Sequence, residues 1–175
     1  EQLKRVLTLT TNISAVVAEE PSDRTISVGK EELKNRLSSF WGGDGDVLEL
    51  YKYELISGRN MGEQDLYSNA RVAVIGYDIK KELFPYSDPI GQTLKIDNIP
   101  FTVIGLLEAK GEMLGQSMDS MIGIPITAFL QYFRGRSFYG EGLQLIAEAE
   151  SMDDLDAATD EAIGAFRAIR KIPPG

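Results

Sequence analysis

Arg71-Val-Ala-Val-Ile-Gly76, Thr93-Leu-Lys-Ile-Asp-Asn-Ile-Pro100 and Phe101-Thr-Val-Ile-Gly105 are the runs that decide the fold. Each apolar stretch is short and closed by glycine, proline or a charged residue, which is how a sheet of short strands is written. Residues 71–75 are apolar on both faces, as a strand covered on both sides requires. After Gly76, Ile79 and Leu83 lie one helical turn apart and Pro85 stops the run, so a short helix follows the strand. Residues 93–96 and 101–107 flank Asp97-Asn98, a pair that tolerates positive φ, which predicts a hairpin with Leu94 and Ile96 facing inward. Pro100 cannot donate to a ladder and places this hairpin near a sheet edge.

Working outward, Val6–Leu9 and Ile13–Ala18 read as two strands split by a Thr-Thr-Asn cluster, with a turn at 20–23. Leu33, Leu37 and Phe40 recur at helical spacing, predicting an amphipathic helix from Lys30 to Phe40 that the glycine-rich run 42–46 ends. Val47–Ile56 reads as a strand closed by Gly58-Arg59. Residues 108–121 show no sustained period and read as a mobile loop, after which Met121–Pro125 is a strand and Ala128–Phe133 a brief helix. Leu143–Ala149 is a further strand. Ser151 then caps a helix with Asp153, Asp154, Asp156, Asp160 and Glu161 toward its start and Arg167, Arg170 and Lys171 toward its end, matching the helix dipole. Its expected core stripe is Met152, Leu155, Thr159, Ala162, Ile163, Phe166 and Ile169, and Pro173-Pro174 prevents continuation.

The 175 residues, 43% of them hydrophobic, are enough for a real core in one domain or two small lobes. A net charge of −9 disfavours nucleic acid, whose phosphates need clustered Lys and Arg, and repels anionic lipid. With no cysteine and no histidine, thiolate nucleophiles, imidazole bases, disulfides and the common zinc sites are all excluded. The longest apolar run, 121–130, is interrupted and spans about half of the ~20 residues a membrane crossing needs. No secretory signal opens the chain, and the piece given reads as water-soluble.

Several groups imitate chemistry. Val74-Ile75-Gly76 before a helix has one glycine where a dinucleotide turn has three. Asp44 and Asp46 lack the further oxygen ligands of a calcium loop and read as a solvated turn. The carboxylates from Asp153 to Glu161 suit a helix start better than a catalytic pair. Met113, Met118 and Met121 could form an adaptable surface or simply pack. Tyr51, Tyr53, Tyr132, Phe133, Phe138 and Tyr139 could line an apolar pocket, though aromatics mostly go to cores. No serine has a visible base and no phosphate loop is present, so no catalytic, cofactor or metal residue is assigned.

The ordered string Gly58-Arg59, Asp65, Arg71 to Gly76, Leu83-Phe84, Asp88-Pro89-Ile90-Gly91, Phe101 to Gly105, then Gln116-Ser-Met-Asp119 and Ile122-Gly-Ile-Pro125, resembles the MacB-like periplasmic core domain of ABC transporter permeases. The likeness continues through Ile169-Arg170 and Ile172-Pro-Pro, whereas the first 45 residues match in element order alone. Gly58, Arg59, Asp65, Gly76, Phe84, Pro89, Gly91, Phe101, Gly105 and Pro125 match the family pattern, as structural rather than partner-binding residues. The resemblance implies an α+β fold in two lobes: a porter-like α/β lobe from residues 1–56 and 120–175, and an inserted, mostly β, sabre-like lobe at 57–119. The two predicted helices would pack on one porter sheet.

It further implies a periplasmic location between transmembrane helices that lie outside the sequence given. The expected function is non-catalytic, coupling cytoplasmic ATP hydrolysis to periplasmic conformational change for efflux. Implied partners are a periplasmic adaptor (membrane-fusion) protein, a second permease protomer and the cytoplasmic ATPase, with no cofactor and no nucleic acid. A second reading within the family is a lipoprotein- or lipid-releasing permease, in which the aromatic and methionine side chains accept acyl chains. A carboxylate-dependent hydrolase is the reading from another class, and it requires two close carboxylates with perturbed pKa. The transported substrate and the contact residues are not written in the sequence.

Overall fold

A computed structural model describes residues 10–19, 22–34, 37–133, 144–149 and 151–170. In chain order the strands are β1 (Thr10–Glu19), β2 (Ile26–Val28), β3 (Glu31–Glu32), β4 (Ser39–Gly43), β5 (Leu55–Gly58), β6 (Val72–Ile75), β7 (Thr93–Ile96), β8 (Ile99–Leu107), β9 (Glu112–Met113), β10 (Gln116–Ser117), β11 (Met121–Pro125) and β12 (Gln144–Ala149). The helices are α1 (Asp46–Leu50), α2 (Glu63–Tyr67), α3 (Tyr77–Leu83), α4 (Ile126–Tyr132) and α5 (Leu155–Arg170). The content is mixed α and β, as expected. By contacts the chain divides into a unit of residues 15–144 and a unit of residues 1–14 with 145–175.

In the larger unit the strands run in the order β1-β4-β11-β6-β8-β7-β2-β3, with β5 also paired to β8. Pairing is mixed: β4 with β11 and β6 with β8 are parallel, the other pairs antiparallel. The strand-glycine-helix reading of 71–83 holds, with Val74 and Ile75 at zero exposure and Ile79 and Leu83 buried on α3. The 93–107 hairpin also holds. Asp97 (φ 48°) and Asn98 (φ 68°) form its turn, and Leu94 and Ile96 are fully buried.

Pro100 is a correction in detail, because β8 is interior, flanked by β7, β6 and β5. Its register with β6 begins only at Thr102, so the proline sits beyond the end of that ladder, where no donor is needed. The 108–121 reading is likewise revised. Glu112↔Ser117 and Met113↔Gln116 pair as a small separate hairpin with Leu114 and Gly115 at the turn.

The Lys30–Phe40 helix is not found among the described residues, 30–34 and 37–40. Gly29 (φ 60°) and Lys30 turn the chain so that Val28 pairs with Glu31, Leu37 bridges Ser22, and Phe40 enters β4 between Glu19 and Ile122. Its apolar residues do reach the core, with Leu37 at 1% and Phe40 at 0% exposure. Their spacing matched a helix by coincidence, and pairing on both sides overrode it.

Val47–Ile56 is corrected in the opposite sense. Residues 46–50 are helical, Val47 and Leu48 are both buried, and Lys52 (φ 56°) ends the turn before β5. Adjacent burial of two residues is what a helix gives and an alternating strand does not. The Thr-Thr-Asn cluster opens β1, while Val6–Leu9 falls outside the described residues.

Phe40 anchors the core of the larger unit. Its ring centroid lies 5.1 Å from those of Phe129 and Phe133, the latter edge-on, and Phe133 stacks on Phe101 at 6.1 Å. Arg24 closes this cluster from one side, its guanidinium 5.0 Å from the Phe133 centroid and 2.7 Å from the Asp97 carboxylate. The tip of the β7–β8 hairpin is thereby tied to the aromatic core.

In the smaller unit, Ser151 caps the turn before α5: its hydroxyl oxygen accepts from the Asp154 N–H at 3.3 Å. The expected stripe on this helix is corrected. Met152, Leu155, Ile163 and Phe166 are exposed, and among the described side chains of α5 the buried ones are Ala158 and Ala165, seven apart on a neighbouring arc; the Ile169 side chain lies outside those described.

Candidate functional site

Chemistry-bearing side chains of the larger unit gather at two places. The first is a junction where β5 leaves β8. Gly58 (φ 81°) has its Cα against the Ile104 carbonyl, and the Arg59 N–H donates to that same oxygen at 2.8 Å. A Cβ on Gly105 would lie 2.7 Å from the Arg59 carbonyl oxygen and 3.0 Å from Val74, so three chain segments meet with no room for a side chain. The Arg59 guanidinium then donates to both Asp65 carboxylate oxygens, at 2.6 and 3.0 Å. Asp65 also accepts the Gly62 N–H at 2.8 Å and so closes the first turn of α2.

This bidentate pair holds the Asp65 carboxyl below the usual carboxylate range, Arg59 being the chief cause and the Gly62 N–H a further one. The same hydrogen bonds raise the Arg59 guanidinium. A carboxylate kept ionised in this way is a clamp, not a proton donor.

The second place is a latch at the base of the β9–β10 hairpin. Asp119, 5% exposed, accepts the Lys110 N–H at 2.7 Å and the Gly111 N–H at 3.0 Å, one on each oxygen. The Ser117 hydroxyl accepts from the Asp119 N–H at 3.0 Å and donates to Asp78 on α3 at 2.6 Å. Lys81 donates to the other Asp78 oxygen at 3.0 Å. Asp78 is held below its usual range, first by Ser117 and then by Lys81. Gly76 belongs to this latch as well, because a Cβ there would run into the Asp119 carbonyl, and the Asp78 N–H donates to that carbonyl at 3.2 Å.

The structure therefore brings together Gly58, Arg59, Asp65 and Gly105 in one junction and places Gly76 in the latch. Phe84 and Phe101, each 1% exposed, lie in the core. Pro89 and Gly91 shape the turn into β7, where the Gln92 N–H donates to the Pro89 carbonyl at 3.0 Å and the Gly91 N–H to Val103 at 2.8 Å. Pro125 ends β11 and caps α4.

The imitators of chemistry disperse. Tyr51 is 48% exposed, and Tyr53 lies under the Lys110 ammonium at 3.8 Å. Tyr132 ends α4, exposed but edge-on to Phe101, Phe133 follows it in the aromatic core, and Phe138 and Tyr139 fall outside the described residues. Met121 is buried in β11. Gly42 and Gly43 are buried in β4 rather than in a solvated turn; Asp44 follows them, and Asp46 opens α1. Among the described residues no three carboxylates assemble into a metal-holding group, and no helix is long and apolar enough to cross a membrane.

Sequence reasoning missed the latch, because Asp78, Ser117 and Asp119 are each unremarkable in their own segments and meet only through the β6–β11 pairing. The signal that was present is the Leu114-Gly115 pair, in the same two-residue slot as Asp97-Asn98.

The chain matches the model of the family described as MacB-like periplasmic core domain over residues 1–165. It is 42% identical over 94 residues to a pyoverdine export ATP-binding/permease protein, PvdT, of Pseudomonas savastanoi pv. phaseolicola, covering 52% of this chain and 14% of that one. It is 36% identical over 103 residues to the macrolide export ATP-binding/permease protein MacB of Rhodospirillum rubrum, covering 58% and 16%. The match thus spans only about a sixth of the length of these curated relatives.

Among solved structures, the extracellular domain of the noncanonic ABC-type transporter YknZ from Gram-positive bacteria superposes with a TM-score of 0.73 at 16% identity, covering 97% of this chain and 82% of that chain. The periplasmic region of MacB from Actinobacillus actinomycetemcomitans gives 0.70 at 17% identity, covering 93% and 68%. These likenesses concern the fold.

Proposed function

The chain belongs to the MacB-like periplasmic core domain family, and from that premise we propose that it couples ATP hydrolysis on the cytoplasmic side to movement outside the membrane, driving export together with an adaptor protein. The domain makes and breaks no bond of its own; its ionisable clusters are clamps that hold strands and hairpins in place. The ATPase, in this reading, is a separate domain or subunit reached through membrane helices, and a second permease protomer completes the machine. The lobes are residues 1–56 with 120–175, porter-like, and 57–119, sabre-like.

The single observation behind the proposal is the family match over nearly the whole chain. The names of the relatives, export ATP-binding/permease proteins, supply the direction of transport. The hydrolase reading needs one carboxyl raised as a general acid, whereas Asp65 and Asp78 are both held low by donors.

Placement outside the membrane is tested by labelling. Tyr86 is fully exposed and the chain contains no cysteine. With Tyr86→Cys introduced into the full protein after any cysteine elsewhere in it has been replaced, a membrane-impermeant maleimide should label intact cells as completely as lysed ones. Labelling only after lysis would place the domain on the wrong side and end the proposal.

A further inference from the structure

The β9–β10 hairpin stands apart from the sheet that precedes and follows it. It forms a two-stranded sheet of its own, joined by no ladder to the larger one among the described residues. From Glu108 to Gly115 every residue whose burial is described is exposed, Leu114 completely, and Ser117 and Met118 are half-buried. Two strands of two residues each are too short to be stable alone.

Polar contacts fasten it. At its base the Lys110 and Gly111 amides donate to the two Asp119 carboxylate oxygens at 2.7 and 3.0 Å, and on the far strand the Ser117 hydroxyl donates to Asp78 at 2.6 Å. The Lys110 ammonium reaches the Tyr51 carbonyl at 2.7 Å and lies over the Tyr53 ring. Water can replace each of these hydrogen-bond partners once the hairpin lifts, so its release costs far less than unfolding the sheet.

The segments on either side are held differently. Before the hairpin, the Glu108 N–H donates to the Glu54 carbonyl at 2.8 Å. After it, the Asp119 carbonyl accepts the Asp78 N–H at 3.2 Å, and Met121 begins a strand paired on both sides. Gly111, at φ 83° with nothing within 4 Å of where a Cβ would stand, supplies a joint between the fixed end and the hairpin. Fixed posts, a glycine joint and fastenings that water can replace are the parts of a unit that opens locally.

We infer that residues 109–118 form a strap that unlatches as one piece, with the Ser117–Asp78 hydrogen bond as its catch. Opening hydrates the buried Asp119 carboxylate while the sheet stays folded. The movement lies inside the larger unit and needs no partner, so it stands apart from the transport reading.

Hydrogen–deuterium exchange of the protein as its gene encodes it, held in lipid nanodiscs and read by mass spectrometry, tests the strap. The amides of 110–118 should exchange at least a hundredfold faster than those of 121–125 in the unaltered protein. Ser117→Ala removes the catch, a hydrogen bond to a charged group, and should speed exchange in 110–118 about tenfold while leaving 121–125 and the melting temperature unchanged. Lys81→Ala takes the other donor from Asp78 but keeps the catch, and should change exchange in 110–118 by less than twofold. Protection of 110–118 equal to that of 121–125 overturns the strap, as does a Ser117→Ala protein in which both segments speed up together, or neither does. Lys81→Ala matching Ser117→Ala would also overturn it, by showing that the hydroxyl is not the catch.

Discussion

Replacing Gly58 with alanine is expected to destabilise the 175-residue chain by about 3 kcal/mol, a sum of backbone strain and overpacking. Gly58 sits at φ 81°, and a Cβ built on it would overlap the Ile104 carbonyl oxygen and lie 2.9 Å from Ile90 Cδ1. The Ile104 oxygen cannot retreat, because it accepts the Arg59 N–H and its strand is held on both sides by β5 and β6.

Gly29 is the internal control. It has φ 60° but nothing within 4 Å of where its Cβ would be, so Gly29→Ala should cost about 1 kcal/mol, the conformational part alone. Urea titration of both variants measures the difference. Equal losses would show that the junction of β5 and β8 yields easily and that Gly58 is there only for its φ.

Phe40→Ala is the larger effect, about 4 kcal/mol from lost burial and the cavity left behind. The ring has no exposed surface and touches Phe129 and Phe133 at 5.1 Å each. It also lies 5.8 Å from the Arg24 guanidinium, whose side chain is 7% exposed. Removing the ring opens space beside a nearly buried cation, a second cost that an aliphatic replacement partly avoids. Phe40→Leu should therefore lose less than half as much. Since whole domains are stable by about 5–15 kcal/mol, Phe40→Ala should bring this one close to unfolding at physiological temperature. Near-native stability would mean that the aromatic cluster of β4, β8 and α4 is not the core's keystone.

The contrast between Phe40 and Gly58 also marks what was legible in the sequence. Residues 71–107, the edge placement of Pro100 apart, could be read correctly because their signals are local: a glycine before a helix, an Asp-Asn pair in a turn, a proline after Phe84. Leu33, Leu37 and Phe40 were misassigned because each pairs outside its own segment: the Leu33 N–H with the Ile26 carbonyl, Leu37 with Ser22, and Phe40 with Glu19 and Ile122.

Gly123 is a further case of distance. It reads as an interruption of an apolar run, yet in the fold it leaves room for the Trp41 ring, which would meet a Cβ there. The junction was half visible, since Arg59 and Asp65 are six residues apart and were singled out, while their bidentate contact was not foreseen. The latch was invisible because its three members come from two segments whose adjacency only the β6–β11 pairing creates. The exposed stripe of α5 shows the limit of periodicity, which finds an apolar arc but not which part of it is covered.

In the proposed function this domain transmits ATP-driven movement to an adaptor outside the membrane. It is tested most directly by the ATP hydrolysis rate of the complete transporter, reconstituted in lipid with its ATPase, with and without the adaptor. A domain that couples the two sites should make hydrolysis respond to the adaptor several-fold. A rate that stays the same at saturating adaptor would contradict the coupling role.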